Sequence, residues 1–108
     1  MGSRVILAVL LALLQDDGWH RVRLAEVATT RWTHVCVMAP VTYRRKQADG
    51  DWHLTMDDGT AKVVAEIIPA LPLEPPKKGQ RVEVCGITRY DKHHGWYELH
   101  PVIRWEAR

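Results

Sequence analysis

Phenylalanine is absent from this chain of 108 residues, and cysteine occurs only twice, with no CxxC pair. Without that spacing Cys36 and Cys85 do not make a zinc site. No Gly-rich phosphate loop, no Ser/His/Asp arrangement and no activating setting for a cysteine is visible, which argues against an enzyme. A large charge excess is missing too: 15 Lys and Arg face 13 Asp and Glu, for a net charge of +2. Dedicated duplex-DNA binders usually carry more, so bulk charge favours a partner with a small phosphate footprint, or no nucleic acid at all. There is no low-complexity tail. The only internal repetition is a VxV pattern that occurs twice, in VCVMAPV and VEVCGIT.

What the chain does contain is apolar material sufficient for one core, at 46% hydrophobic residues, in a length that suits one domain. The first 17 residues stand apart. Met1-Gly2-Ser3-Arg4 precedes VILAVLLALL, a run with the shape of a secretory signal or a loose anchor and too short for a bilayer span of roughly 20 apolar residues. No clean small-x-small cleavage site follows, and a buried N-terminal segment of a cytoplasmic protein is the other reading. The expected division is therefore residues 1–17 as an apolar N-terminal segment and 18–108 as the folded domain, in an exported or periplasmic protein.

Within the domain, residues 19–31 read as a short helix or turn. The first strand is expected over about Thr33–Arg44, with Val35 and Val37 inward, Cys36 and Met38 outward, and a bulge near Ala39-Pro40. A polar loop, RKQADGD, leads to Trp52–Met56, where Trp52, Leu54 and Met56 alternate with His53 and Thr55. Asp57-Asp58-Gly59 turns into a third strand, Ala61–Ile68. A long break rich in proline follows, from Pro69 through Pro76, where a helix is poorly suited. Arg81–Tyr90 is the fourth strand, DKHHG a hairpin loop, and Trp96–Trp105 the fifth. Five short strands with one long break after the third are the layout of an all-β OB-type Greek-key barrel with a short N-terminal helical or apolar extension.

The segments VCVMAPVTY, DGDWHLTMDDG, AEIIP, KKGQRVEVCGITRYD and HGWYELHP carry a resemblance to small exported bacterial OB-fold domains of uncharacterised families. More distantly they resemble anticodon-binding-like OB domains. The resemblance covers about residues 33–105 and implies a barrel, export, and a binding rather than a catalytic role. Its most specific part is the KxGxxVxVxG pattern ending at Gly86.

Barrels of this type bind along the face of their second and third strands, flanked by the first-to-second and fourth-to-fifth loops. Here those loops are basic and aromatic. Tyr43, Arg44, Arg45, Lys46 and Trp52 stand at one, and Arg89, Lys92, Trp96 and Tyr97 at the other, beside Tyr90. Cations for phosphate and flat rings for bases are what a single-strand binder needs. The expected function is thus a non-catalytic module for single-stranded nucleic acid or another anionic ligand, without a cofactor. Two other readings stay open: an envelope domain that binds protein or small molecules, with Trp52 and Trp96 closing the ends of the core, and a metal binder on the HHG hairpin. The latter would use His93, His94, Glu98 and His100, whose spacing matches no established ligand motif. Asp49, Asp51, Asp57 and Asp58 fall in two DG turns, where aspartate is expected for conformational reasons. Cys36 and Cys85 sit on neighbouring strands of such a barrel, either as two half-buried thiols or as a cross-strand disulfide suited to an exported domain.

Overall fold

Alternation of apolar and polar residues lays down the strands, and all five expected barrel strands form. The computed structural model describes residues 18–69 and 74–108; the apolar run at residues 1–17 lies outside them. A two-residue strand, β1 (His20–Arg21), and a 3-10 turn at Leu24–Glu26 replace the short helix expected before the barrel. The barrel itself consists of β2 (His34–Lys46), β3 (Trp52–Asp57), β4 (Lys62–Ile67), β5 (Arg81–Asp91) and β6 (Trp96–Ala107). The sheet runs β1-β2-β3-β4-β6-β5, and a β2–β5 pairing closes it. Neighbouring barrel strands are antiparallel except β4 and β6, which pair in parallel at Val64–Glu98 and Ala65–Leu99. The result is a closed mixed barrel of five strands with almost no helix.

Its interior is aliphatic. Val35, Val37, Ala39, Val41, Leu54, Met56, Val63, Ala65, Ile67, Val82, Val84, Leu99 and Val102 are buried together. Leu24 and Val27, from the 3-10 turn, join the same cluster. Trp52 and Trp105 pack partly buried against it; Trp96 does not. Each fully buried aliphatic side chain contributes about 1.5–3 kcal/mol of transfer free energy.

Cys36 is nearly inaccessible at 1%, in contrast to the exposed Met38 on the same side of β2. β1 runs beside it, and Cys85 lies directly opposite in the β2–β5 register. The two sulfurs form a disulfide, with a Cα–Cα separation of 4.0 Å.

The irregularity in β2 falls two residues later than Ala39-Pro40. Ala39 and Pro40 remain in regular register with Val82 and Arg81, and the shift lies between Val41 and Tyr43. At this point β2 leaves β5 and takes up β3. A residue lacking an N–H is tolerated where a ladder ends, and the Val41 N–H donates instead to the Gln80 carbonyl. Gly86 explains the last glycine of the KxGxxVxVxG pattern. A Cβ there would meet the Pro101 carbonyl oxygen at 2.9 Å and the Leu99 Cβ at 3.1 Å, so β5 and β6 approach closely only over glycine.

Candidate functional site

Outward-facing positions of β2, β3, β4 and β6 converge on one groove of about 340 Å³, lined by Tyr43, Arg45, His53, Val64, His94 and Trp96, among others. Strand alternation selects them: Tyr43 and Arg45 are two apart on β2, and His53 and Thr55 two apart on β3. Tyr43 is 53% exposed. At the other wall the Trp96 indole stacks on the His94 imidazole, 4.3 Å between centroids and 5° between planes. The His94 ring is itself anchored, with Nδ1 donating to Asp91 Oδ2 at 2.6 Å. That bond, supported by the His93 and His94 backbone N–H groups, holds the Asp91 carboxyl down to about 2. The same bond raises the pKa of His94. The groove wall is therefore a pre-positioned aromatic surface rather than a free side chain.

Beside the groove lies a cluster of titratable side chains centred on two carboxylates with little access to water, Glu66 and Glu98. His53 Nε2 is 2.5 Å from Glu66 Oε1. The second Glu66 oxygen is 3.2 Å from His100 Nδ1. Glu98, from β6, is buried; the Trp96 indole N–H donates to its Oε2 at 3.1 Å. Its Oε1 lies 3.6 Å from His100 Nδ1 and 3.5 Å from Arg89 Nε, yet accepts no hydrogen bond among the described residues. A bond to the adjacent Glu66 carboxyl forms only when a proton sits between the two. Burial pushes the Glu98 carboxyl above the usual range, the Glu66 carboxyl adds to that, and Trp96 partly opposes it. Arg89 donates to His100 Nδ1 at 2.8 Å. Asp51, at the end of the β2–β3 loop, completes the group; its carboxyl is raised by burial and then by the charges of Asp49 and Glu66.

The structure thus divides the residues expected at the site. Tyr43, Arg45 and Trp96 come together in the groove, and Arg89 joins the cluster beside it. Lys92 is exposed on the hairpin tip. Arg44 points to the opposite side of β2, where it donates to the carbonyls of Pro75 and Pro76, pairs with Glu74 at 3.0 Å and covers the Trp52 ring at 4.2 Å. Lys46 and Trp52 line a separate depression with Ile67 and Pro69. Tyr97 alternates away from Trp96 and packs against Tyr90 at 5.0 Å. Trp52 serves the core and Trp96 the groove, a distinction that residue type alone does not make.

Of the metal-ligand set expected on the HHG hairpin, Glu98 and His100 come together, 3.6 Å apart, and the other two histidines lie apart from them. His94 is committed to Asp91 and Trp96, and His93 is exposed. Donor atoms of Asp51, Glu66 and His100 also come together, within 4.8 Å of one another. Glu66 and His53 belong to this candidate site and are not singled out by the sequence patterns above. Glu66 carried a signal: it is the one acid in the apolar strand VVAEII, and a charge on a strand buried on both faces requires partners.

No protein-family model matches the chain, and no curated protein is similar to it in sequence. Its barrel superimposes on that of asparaginyl-tRNA synthetase from Pyrococcus horikoshii with a TM-score of 0.66 and 21% identity, over 80% of this chain and 22% of the synthetase. The chain thus spans about a fifth of the synthetases it matches. A replication protein A heterotrimer bound to ssDNA matches with a TM-score of 0.66 and 10% identity, over 83% of this chain and 80% of the other. Telomere capping protein Ten1 from Saccharomyces pombe matches with a TM-score of 0.54 and 14% identity, over 81% and 78% of the two chains. At these identities the likeness establishes the fold alone, an OB barrel.

Proposed function

We propose that this barrel is a non-catalytic module that binds single-stranded nucleic acid across the outer face of β3 and β4. Bases stack on Tyr43 and on the Trp96–His94 pair, and Arg45, with Lys92 and Arg89 at the rim, neutralises phosphate. The observation that carries this reading is the groove itself, which gathers two ring faces and the Arg45 guanidinium between the two loops. Aromatic platforms with neighbouring cations are the parts that bind single strands without sequence preference. The likeness to a replication protein A heterotrimer bound to ssDNA supports the same reading. Of the two carboxylates beside the groove, Glu98 faces the Arg89 guanidinium, 3.5 Å from its Nε.

The Cys36–Cys85 disulfide supports an exported location, because such bonds persist in oxidising compartments. A protein-binding role is the second reading, favoured by the exposed Tyr90–Tyr97 pair on the side away from the groove.

The test is a titration of the chain with short labelled single-stranded DNA and RNA at low and moderate salt, following anisotropy and tryptophan quenching together. Micromolar binding that quenches tryptophan and weakens with salt is expected. No binding at low salt, where electrostatic attraction is strongest, rejects the oligonucleotide reading in favour of the protein-binding one.

A further inference from the structure

The cluster beside the groove has features that nucleic-acid binding does not use. Each of its two strand carboxylates has one oxygen held and the other turned inward. Glu66 Oε1 is held by His53, and Glu98 Oε2 by the Trp96 indole. The remaining oxygens, Glu66 Oε2 and Glu98 Oε1, lie 3.2 and 3.6 Å from the same atom, His100 Nδ1. Donors bound to one tetrahedral zinc ion at about 2.0–2.1 Å stand about 3.3 Å from one another, close to these separations. Asp51 closes the open side, with donor atoms of Asp51, Glu66 and His100 all within 4.8 Å of one another.

Glu98 supplies the independent sign. Its side chain is 1% exposed, and its Oε1 is aimed into the cluster without accepting a hydrogen bond from any described residue. A buried carboxylate oxygen left so is costly unless a cation meets it. Arg89 partly fills that need, with its Nε 3.5 Å from Glu98 Oε1, but its side chain is 52% exposed.

We propose that Asp51, Glu66, Glu98 and His100 bind one divalent first-row transition-metal ion. One imidazole with three carboxylates suits Zn²⁺ or Mn²⁺. His53 and Trp96 are positioning residues that hold the unused carboxylate oxygens, an arrangement that typically sets ligand orientation. The guanidinium of Arg89 stands in for the ion and leaves when it binds. This inference does not depend on the oligonucleotide reading, and no nucleic acid enters its test.

Titration calorimetry and thermal melting of the tag-free full chain with Zn²⁺ and with Mn²⁺ provide that test. One equivalent per chain with a rise in Tm is expected for at least one of the two ions. His100→Gln and Glu98→Gln abolish the rise, His53→Gln weakens binding about tenfold, and His93→Ala leaves it unchanged. Arg89→Gln tightens metal binding while weakening any oligonucleotide binding, so the two readings fail separately. If circular dichroism shows His100→Gln or Glu98→Gln unfolded, Asp51→Asn at the rim carries the test with the same expected loss. Absence of binding to the native chain overturns the proposal. So does stoichiometric binding that survives in Asp51→Asn and His100→Gln, or that disappears in His93→Ala.

Discussion

The two halves of β2 do different work in one strand. From His34 to Pro40 it pairs with β5, and Val35, Cys36, Val37 and Ala39 are all buried. From Val41 to Lys46 it pairs with β3, and after Val41 its side chains are largely exposed or half-buried. The first half is covered outside as well as inside, by β1 and the disulfide. The second leaves its outer face open and presents Tyr43 and Arg45 to the groove. The change of partner at Pro40–Val41 is what separates a structural segment from a ligand-presenting one. It also explains why Arg44 and Arg45 have different fates: adjacent strand residues point to opposite faces.

The largest effect that sharpens this contrast is on the covered half. Cys36→Ser with Cys85→Ser opens a loop closed over a sequence separation of 49 residues, and chain entropy puts the loss at about 4 kcal/mol. Denaturant melting of the double variant, oxidised against reduced native protein, measures it. Equal stability of the three would mean that the covered half owes nothing to the bridge. On the open half, Tyr43→Ala and Trp96→Ala each weaken oligonucleotide binding by about 1–3 kcal/mol; affinity unchanged in both variants removes the groove as the site.

Neighbouring arginines give a finer comparison. Arg44→Ala lowers stability by about 1–2 kcal/mol, because the carbonyls of Pro75 and Pro76 lose a charged donor and Trp52 its cover. Arg45→Ala leaves stability within about 0.5 kcal/mol and reduces the salt slope of binding by about one. A reversed pattern would place the phosphate-facing cation on the other face.

The smallest effect concerns pH. Asp91 is depressed to about 2 and His94 is raised, both chiefly through their mutual hydrogen bond. The depressed Asp91 contributes stability present above its unfolded value near ~4 and lost as pH falls through about 2. The raised His94 contributes stability present below its unfolded value near ~6.5 and lost as pH rises through its higher folded value. The pair is therefore fully formed between about pH 4 and 6.5. The His94 ring resonances, followed by NMR, titrate at higher pH in the native chain than in Asp91→Asn. Coincident curves would show that the aromatic wall is not anchored by this pair.

Much of the fold was legible in the sequence. Period-two alternation in VCVMAPV, WHLTM and VEVCGIT marks strands, and DG turns and the proline-rich break mark their ends. Strand existence depends on local pattern, which is why all five barrel strands were found, and why the β2 irregularity, which depends on where β5 stops, was misplaced by two residues. The candidate site was half legible. Tyr43, Arg45 and Trp96 were recognisable as exposed types near the expected loops, whereas Arg44, Trp52 and Tyr97 belong to other faces.

By itself the sequence determined an aliphatic, all-β barrel, its strand order in the chain, and two loops rich in cations and rings. These follow from local alternation and turn chemistry, properties of neighbouring residues. Only the tertiary structure decided that Cys36 meets Cys85, that Trp52 packs on the core while Trp96 lines a groove, and that Asp51 and Glu66 gather around His100, with Glu98 on its other side. Those relations join residues from separate strands, and they are set by register and barrel closure, which no local stretch of sequence contains.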